Sequence, residues 1–419
     1  MYSTLVRENF HFVLKSIRKL GLFMPMPRAN RWEADCIQQF PFSEIRKVFE
    51  AANRLKAQGV DVVDVTMGRP DYDTPEHIKQ AAKDALDAGK VHYTPNAGIP
   101  ELLKAIANKM KRDNGLDYDT AGEIIVTVGA AQAIYTALTA FLNPGDEIII
   151  PSPIWLNYVH VSRMLGAKIV PVPLKEENEF ALLASDVEKA ITPKTKMIVL
   201  VAPNNPTGGV MKKEDLKKIA ELAVKHDLLV ISDEIYEHLI YDGYQHISIA
   251  SYPGMKERTI LVNGVSKAYS MTGWRLGWIC TSKEIYSSLI RCFQYMVANA
   301  TSFAQYGALA ALEGPQDCVR EMVAEFKRRR DMLVDRINQI PKISCKKPEG
   351  AFYVFMNIKQ TGMTSVDAST FFLEKAAVAA VPGSAFGEEG EGYIRIAYSN
   401  CYENLERGVD NIEKSLSQL

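Results

Sequence analysis

A chain of 419 residues can bury a large core, and it should divide into more than one unit, since single cores stop growing at roughly 250–300 residues. With 47% hydrophobic and 24% charged residues and a net charge of −1, the composition is ordinary for a soluble globular protein such as an enzyme. The charge balance argues against nucleic acid or an anionic membrane as the main partner, and no apolar run approaches the roughly 18 residues that span a bilayer.

The first 35 residues stand apart. Arg7, Lys15, Arg18, Lys19, Arg28 and Arg31 face one acid, Glu8, and Leu5, Phe10, Val13, Leu14 and Ile17 could form an apolar helical face. That composition shares features with an organelle transit peptide. The plainer reading is a variable tail, or a start codon upstream of Met24 or Met26, and a cytoplasmic protein is expected. The six cysteines are scattered without a Cys-x-x-Cys pair, which fits free thiols in a reducing compartment.

From about residue 120 to 285, short β-branched runs alternate with helical stretches. Strands are expected at 124–128, 147–150, 168–172, 197–202, 228–232, 259–263 and 276–280, and helices at 130–141, 154–165 and 212–226. Continuous apolar strands separated by helices indicate an α/β domain with a mostly parallel sheet. Beyond Gly314-Pro315 the texture changes to a charged helical stretch, 319–340, and then to apolar, glycine-rich segments, which reads as a smaller α+β unit. The resulting division is a tail (1–35), a small domain (36–69 with 311–419) and a large domain (70–310). There is no internal repeat and no low-complexity tract.

Polar residues gather at the expected strand ends. Lys267 follows the strand at 259–263 through a glycine turn, at the place where open α/β sheets bind ligands. Desolvation and neighbouring cations there would make it a usable amine nucleophile, although a structural ion pair fits the position almost as well. Asp233 follows the strand at 228–232, with Tyr236 three residues on. Asn205 follows the strand at 197–202 in a Pro-Asn-Asn-Pro-Thr-Gly turn. Gly129-Ala130-Ala131 opens a helix directly after a strand, leaving backbone N–H groups free for a phosphate. No dinucleotide-binding or P-loop glycine pattern exists, and the seven histidines are dispersed, with no metal-binding motif.

In order, these runs resemble the class I and II aminotransferases of the fold-type-I pyridoxal-phosphate superfamily. The resemblance extends from about Phe40 to the C-terminus. It is carried by Gly68-Arg69-Pro70-Asp71, His92-Tyr93-Thr94-Pro95-Asn96, Val128-Gly129-Ala130, Pro151-Ser152-Pro153 and Asn205-Pro206-Thr207-Gly208. It continues through Asp233-Glu234-Ile235-Tyr236, the stretch from Ser266-Lys267 to Gly273-Trp274-Arg275, Pro382-Gly383-Ser384 and Tyr393-Ile394-Arg395. It implies a large domain with a mostly parallel seven-stranded sheet flanked by helices, plus a smaller α+β domain.

The resemblance also implies roles. Lys267 would hold pyridoxal 5′-phosphate as a Schiff base and serve as the proton-transfer group, and Asp233 would pair with the pyridine nitrogen. Asn205 and Tyr236 would hydrogen-bond the phenolic oxygen, and Trp155 would stack on the ring. Arg275, Ser266 and the amides of Gly129, Ala130 and Ala131 would bind the phosphate. Tyr93 would reach the neighbouring subunit's cofactor, implying a homodimer with shared sites. Arg395 would clamp the substrate carboxylate, with Gly68, Asn205 and Trp155 around it. The implied activity is ping-pong transfer of an amino group between an L-amino acid and a 2-oxo acid such as 2-oxoglutarate.

Two positions depart from some branches of the family. Gly264 stands where a serine can precede the lysine by three residues. Ala131 stands where a lysine can serve a distal carboxylate, and with that lysine goes the warrant for strict aspartate specificity. Arg69 could bind a second carboxylate, but a solvated surface arginine is the reading favoured here. A carbon–sulfur lyase or decarboxylase could use the same groups. A ligand-sensing transcription factor would need a DNA-binding domain that a 35-residue tail cannot supply.

Overall fold

The computed structural model describes residues 31–40 and 42–418. Residues 31–40 hold one 3-10 turn, Ile37–Gln39, and residues 42–418 make up a separate compact unit. Most of the basic tail therefore lies outside the described residues.

The largest sheet forms where the sequence is most apolar. After a short first strand, β1 (Val63–Asp64), the chain lays down β2 (Ile124–Thr127), β3 (Glu147–Ser152), β4 (Lys168–Pro173), β5 (Thr195–Val201), β6 (Leu229–Asp233), β7 (Thr259–Gly264) and β8 (Gly277–Cys280). These seven later strands form one sheet in the order β2-β8-β7-β6-β5-β3-β4. All pairings among β3 to β7 are parallel. Only β8, between β2 and β7, runs antiparallel. The expected mostly parallel seven-stranded sheet is thus present. Helices cover both faces, so Ile148, Ile149, Ile198, Ile231 and Ile260 are all fully buried. Burying such a side chain contributes roughly 1.5–3 kcal/mol.

The strand bounds match the sequence reading to within two residues. One shift matters: Asp233 is the last residue of β6, paired with Val201 on one side and Val262 on the other, rather than the first residue after it. Among the described residues, eight α-helices were not anticipated: Glu44–Ala57, Glu76–Asp87, Pro100–Asn114, Ala184–Ala190, Lys283–Val297, Ser302–Glu313, Ser365–Ala376 and Tyr402–Leu416. The helix expected at 154–165 is shorter, Asn157–Met164, because the Pro153 turn delays its start.

The C-terminal part builds a second layer. β9 (Ser344–Cys345), β10 (Tyr353–Asn357), β12 (Val381–Pro382) and β13 (Tyr393–Ala397) form an antiparallel sheet in the order β12-β13-β10-β9, and β11 (Val378–Ala379) pairs in parallel with β1. The helix Glu44–Ala57, capped by the Ser43 side chain, buries Ala52 against Leu373 and Ala379. The chain's early segment is therefore woven into its end. That places the backbone of Thr66–Gly68 beside the carboxyl ends of the large sheet.

Candidate active site

A cavity of about 400 Å³ opens along those carboxyl ends. Its walls include Gly68, Ala130, Ala131, Trp155, Asn205, Asp233, Tyr236, Ser266, Lys267, Arg275 and Arg395, residues drawn from both layers. Topology explains the convergence, because parallel strands all deliver their following turns to one edge.

Lys267 reaches the cavity from the turn after β7. Its Nζ donates to the Gly68 carbonyl at 2.6 Å and lies 5.7 Å from the Tyr236 ring centre. Burial, aided by the charges of Arg395 and Arg275, lowers its pKa from 10.5 to about 8, and only Asp233 opposes the shift. An amine so placed is available as a nucleophile near neutral pH. Asp233 is the reciprocal case. Burial raises its carboxyl to about 6 against the hydrogen bonds from the Tyr158 hydroxyl and the Ile235 N–H.

Arg395, on β13, is fully buried. Nη1 donates to Asn205 Oδ1 at 3.1 Å and Nη2 to the Thr66 carbonyl at 2.6 Å, while Nε is buried with no hydrogen-bond partner among the described residues. The guanidinium also lies 4.5 Å from the Tyr353 ring centre and 4.8 Å from that of Phe386. A buried cation with no acid beside it and a donor left over is arranged for an anion that arrives from outside. Tyr236 shares a 2.9 Å hydrogen bond with Tyr353.

At the opposite end, Gly129 begins the helix Gly129–Phe141 with φ of +73°. A Cβ there would stand 2.7 Å from Arg275 Nη2, so only glycine lets the guanidinium lie against the helix start. Arg275 itself sits at φ +55° and donates to the Thr272 carbonyl at 2.9 Å. A left-handed arginine beside a helix N-terminus concentrates positive potential at one spot. The departure at Gly264 has a steric reason, since a Cβ would meet Gly277 Cα and the Leu276 carbonyl, each at 2.8 Å.

Of the residues singled out from sequence, Tyr93 does not join this cavity; it is 90% exposed on the surface. Gly129 contributes through Arg275 rather than as a lining residue. Arg69 combines two properties, being exposed while also lining the cavity mouth. Sequence reasoning missed Tyr158, Tyr353, Thr66 and Ile45. Tyr158 alone left a signal, lying three residues beyond Trp155.

The dispersed histidines concealed another grouping. Glu234, Glu237 and His246 come together, with ligand atoms within 4.8 Å of one another. Their capacity is taken up internally. Ser232, Ser248 and His246 bond Glu234, while Lys109, Asn114 and Asn263 bond Glu237.

Fold and cavity together define an α/β enzyme in which a desolvated lysine, a buried carboxylate and two arginines face one space. The sequence profile of the class I and II aminotransferases matches residues 60–412, and the chain belongs to that family. It is an aminotransferase, and members of the family depend on pyridoxal phosphate. It is 48% identical over 378 residues to the aspartate aminotransferase of Pyrococcus abyssi, spanning 90% of this chain and 96% of that one. To aromatic-amino-acid aminotransferase 2 of Thermococcus litoralis it is 45% identical over 388 residues, 92% of this chain and 98% of the other. Among solved structures, the Thermus thermophilus aspartate aminotransferase with maleate superposes with a TM-score of 0.87 at 40% identity, covering 92% of this chain and all of that one. No helix among the described residues is long and apolar enough to cross a membrane.

Proposed function

We propose that this enzyme exchanges an amino group between L-amino acids and 2-oxo acids, 2-oxoglutarate among them, in a ping-pong cycle centred on Lys267. The observation that carries the proposal is the pairing, inside one cavity, of a lysine held near pKa 8 with a buried carboxylate, between two arginines. The residues fit pyridoxal phosphate. The cradle at Gly129 and Arg275 suits a phosphate, Asp233 suits a protonated ring nitrogen, and the spare Nε of Arg395 suits a carboxylate.

When bound, the cofactor supplies an aldehyde for the amino group and a ring that accepts the electron pair released at Cα. Lys267 would hold that aldehyde carbon, and its Nζ would take up and give back the substrate's Cα proton, a role that needs an amine neutral near working pH. Asp233 keeps the ring nitrogen protonated, and Tyr236 and Asn205 serve the phenolic oxygen. Trp155 covers a ring face. Arg275, Ser266 and the amides of Gly129, Ala130 and Ala131 anchor the phosphate. Arg395, with Gly68 beside it, orients the α-carboxylate.

The division into a large unit (70–310) and a small one (36–69 with 311–419) belongs to this reading, supported by the β1–β11 pairing. So does a homodimer, in which Tyr93 serves the partner's cavity. Tyr93 and Tyr295, 90% and 88% exposed, lie on segments tied together by the hydrogen bond from Asn96 Nδ2 to the Ala298 carbonyl. We also place the enzyme in the cytoplasm, in keeping with six unpaired cysteines; recovery from a membrane or organelle fraction would oppose that. The central test is spectroscopic. The purified protein should be yellow, with a band abolished by borohydride, and Lys267→Ala should lose both the covalent band and turnover. A Lys267→Ala variant with near-normal turnover would overturn the assignment.

A further inference from the structure

Tyr158 has no part in the roles set out above, yet it is the side chain most directly bound to Asp233. It lies in the first turn of the helix Asn157–Met164, its side chain fully buried, and its hydroxyl donates to Asp233 Oδ2 at 2.8 Å. The other oxygen, Oδ1, accepts the Ile235 N–H at 3.2 Å. Each carboxylate oxygen is thus fixed by one donor, one from the backbone and one from a side chain three residues beyond the cavity-lining Trp155.

We propose that the Tyr158 hydroxyl is the positioning group that keeps Asp233 ionised and aimed at the ring nitrogen. The inference rests on the proposed pairing of Asp233 with the cofactor. A carboxylate at the end of β6, closed in by β5 and β7, has little solvent to hold its charge, so donated hydrogen bonds must do so. The groups around Asp233 divide in effect. Lys267 and the two donors favour its charge, while burial and neighbouring Glu234 oppose it. Tyr158 cannot exchange its role, because burial beside Asp233 raises its own pKa well above 10 and keeps it a donor throughout the working range. The competing reading is packing alone, since the Tyr158 ring also sits in the apolar cluster with Ile150 and Val199.

Tyr158→Phe separates the two, because it keeps the ring and removes one oxygen. The experiment measures cofactor affinity by fluorescence titration of the resolved protein from pH 5.5 to 8.5, together with the pH dependence of the bound cofactor's visible band. Wild type should bind pyridoxal phosphate; if it does not, the parent reading fails rather than this one. For Tyr158→Phe, affinity at pH 7 should fall roughly tenfold or more, the worth of a hydrogen bond to a charged group. The pH at which affinity drops should rise by about one unit, since Asp233 would take up a proton sooner. Tyr158→His restores a ring donor and should stay within about half a unit of wild type, which also serves if the Phe variant does not fold. A Phe variant that binds more weakly at every pH with an unmoved midpoint would overturn the proposal. So would a His variant displaced by a full unit or more.

Discussion

Replacing Lys267 with methionine should make the cofactor-free protein more stable at pH 7, even as it abolishes function. Methionine keeps much of the side-chain volume and removes the ammonium. The lowering from 10.5 to about 8 corresponds to a ceiling of about 3 kcal/mol of unfavourable burial. Water in the cavity, to which Lys267 is partly open, reduces that figure. The lost hydrogen bond to Gly68 takes back about another 1 kcal/mol. A net gain of about 1–2 kcal/mol is expected. The pH dependence gives the sharper signature. Below pH 8 the lysine is charged in both folded and unfolded chains, and the folded state bears the whole cost. Between pH 8 and 10.5 the folded protein has lost the proton while the unfolded chain retains it, so wild-type stability rises relative to the variant. Urea unfolding of both proteins at pH 7 and pH 10, with matched m-values, should show most of the gap closing at the higher pH. A variant no more stable than wild type at pH 7, or a gap unchanged at pH 10, would refute the electrostatic account of Lys267.

Two further predictions concern the mouth and the surface. The cavity is lined by four cations, Arg69, Lys267, Arg275 and Arg395, and one carboxylate, Asp233, which leaves Arg69 for a second acid group on the substrate. Arg69→Ala should therefore lower kcat/KM for 2-oxoglutarate by about 10–100-fold while changing that for phenylpyruvate less than about threefold; equal losses would return Arg69 to the solvent. If the proposed homodimer uses this face, Tyr295→Glu, at a side chain 88% exposed, should shift the protein from dimer to monomer in light scattering and reduce activity with it. An unchanged dimer would remove that face from the interface.

The central sheet was legible because its strands are buried on both faces, so Glu147–Ser152 or Thr259–Gly264 carries its apolar run unbroken. Strand order was not legible. The sequence of β8 reads like its neighbours, yet it alone runs antiparallel, a choice fixed by its placement between β2 and β7. Lys267, Asp233 and Asn205 could be found because a strand end is a local feature. Tyr353 and Thr66 could not, since each enters the cavity's network from another element. Arg69 shows the limit differently. Sequence suggested a solvated arginine, and the structure leaves it solvated, but at the lip of the cavity.

The weaving of the chain's beginning into its end sets an order of events during synthesis. Lys267 bonds the carbonyl of Gly68 across 199 residues, and Arg395 bonds that of Thr66 across 329. At ribosomal speeds of about 5–20 residues per second, the segment around Thr66 waits roughly 15–65 s for Arg395 to be made. Until β11 is made, β1 has no partner strand, and until Arg395 is made, the cavity lacks the arginine that would grip a carboxylate. A nascent chain can complete its large sheet early and still lack part of its cavity, which closes only once Arg395 has been made.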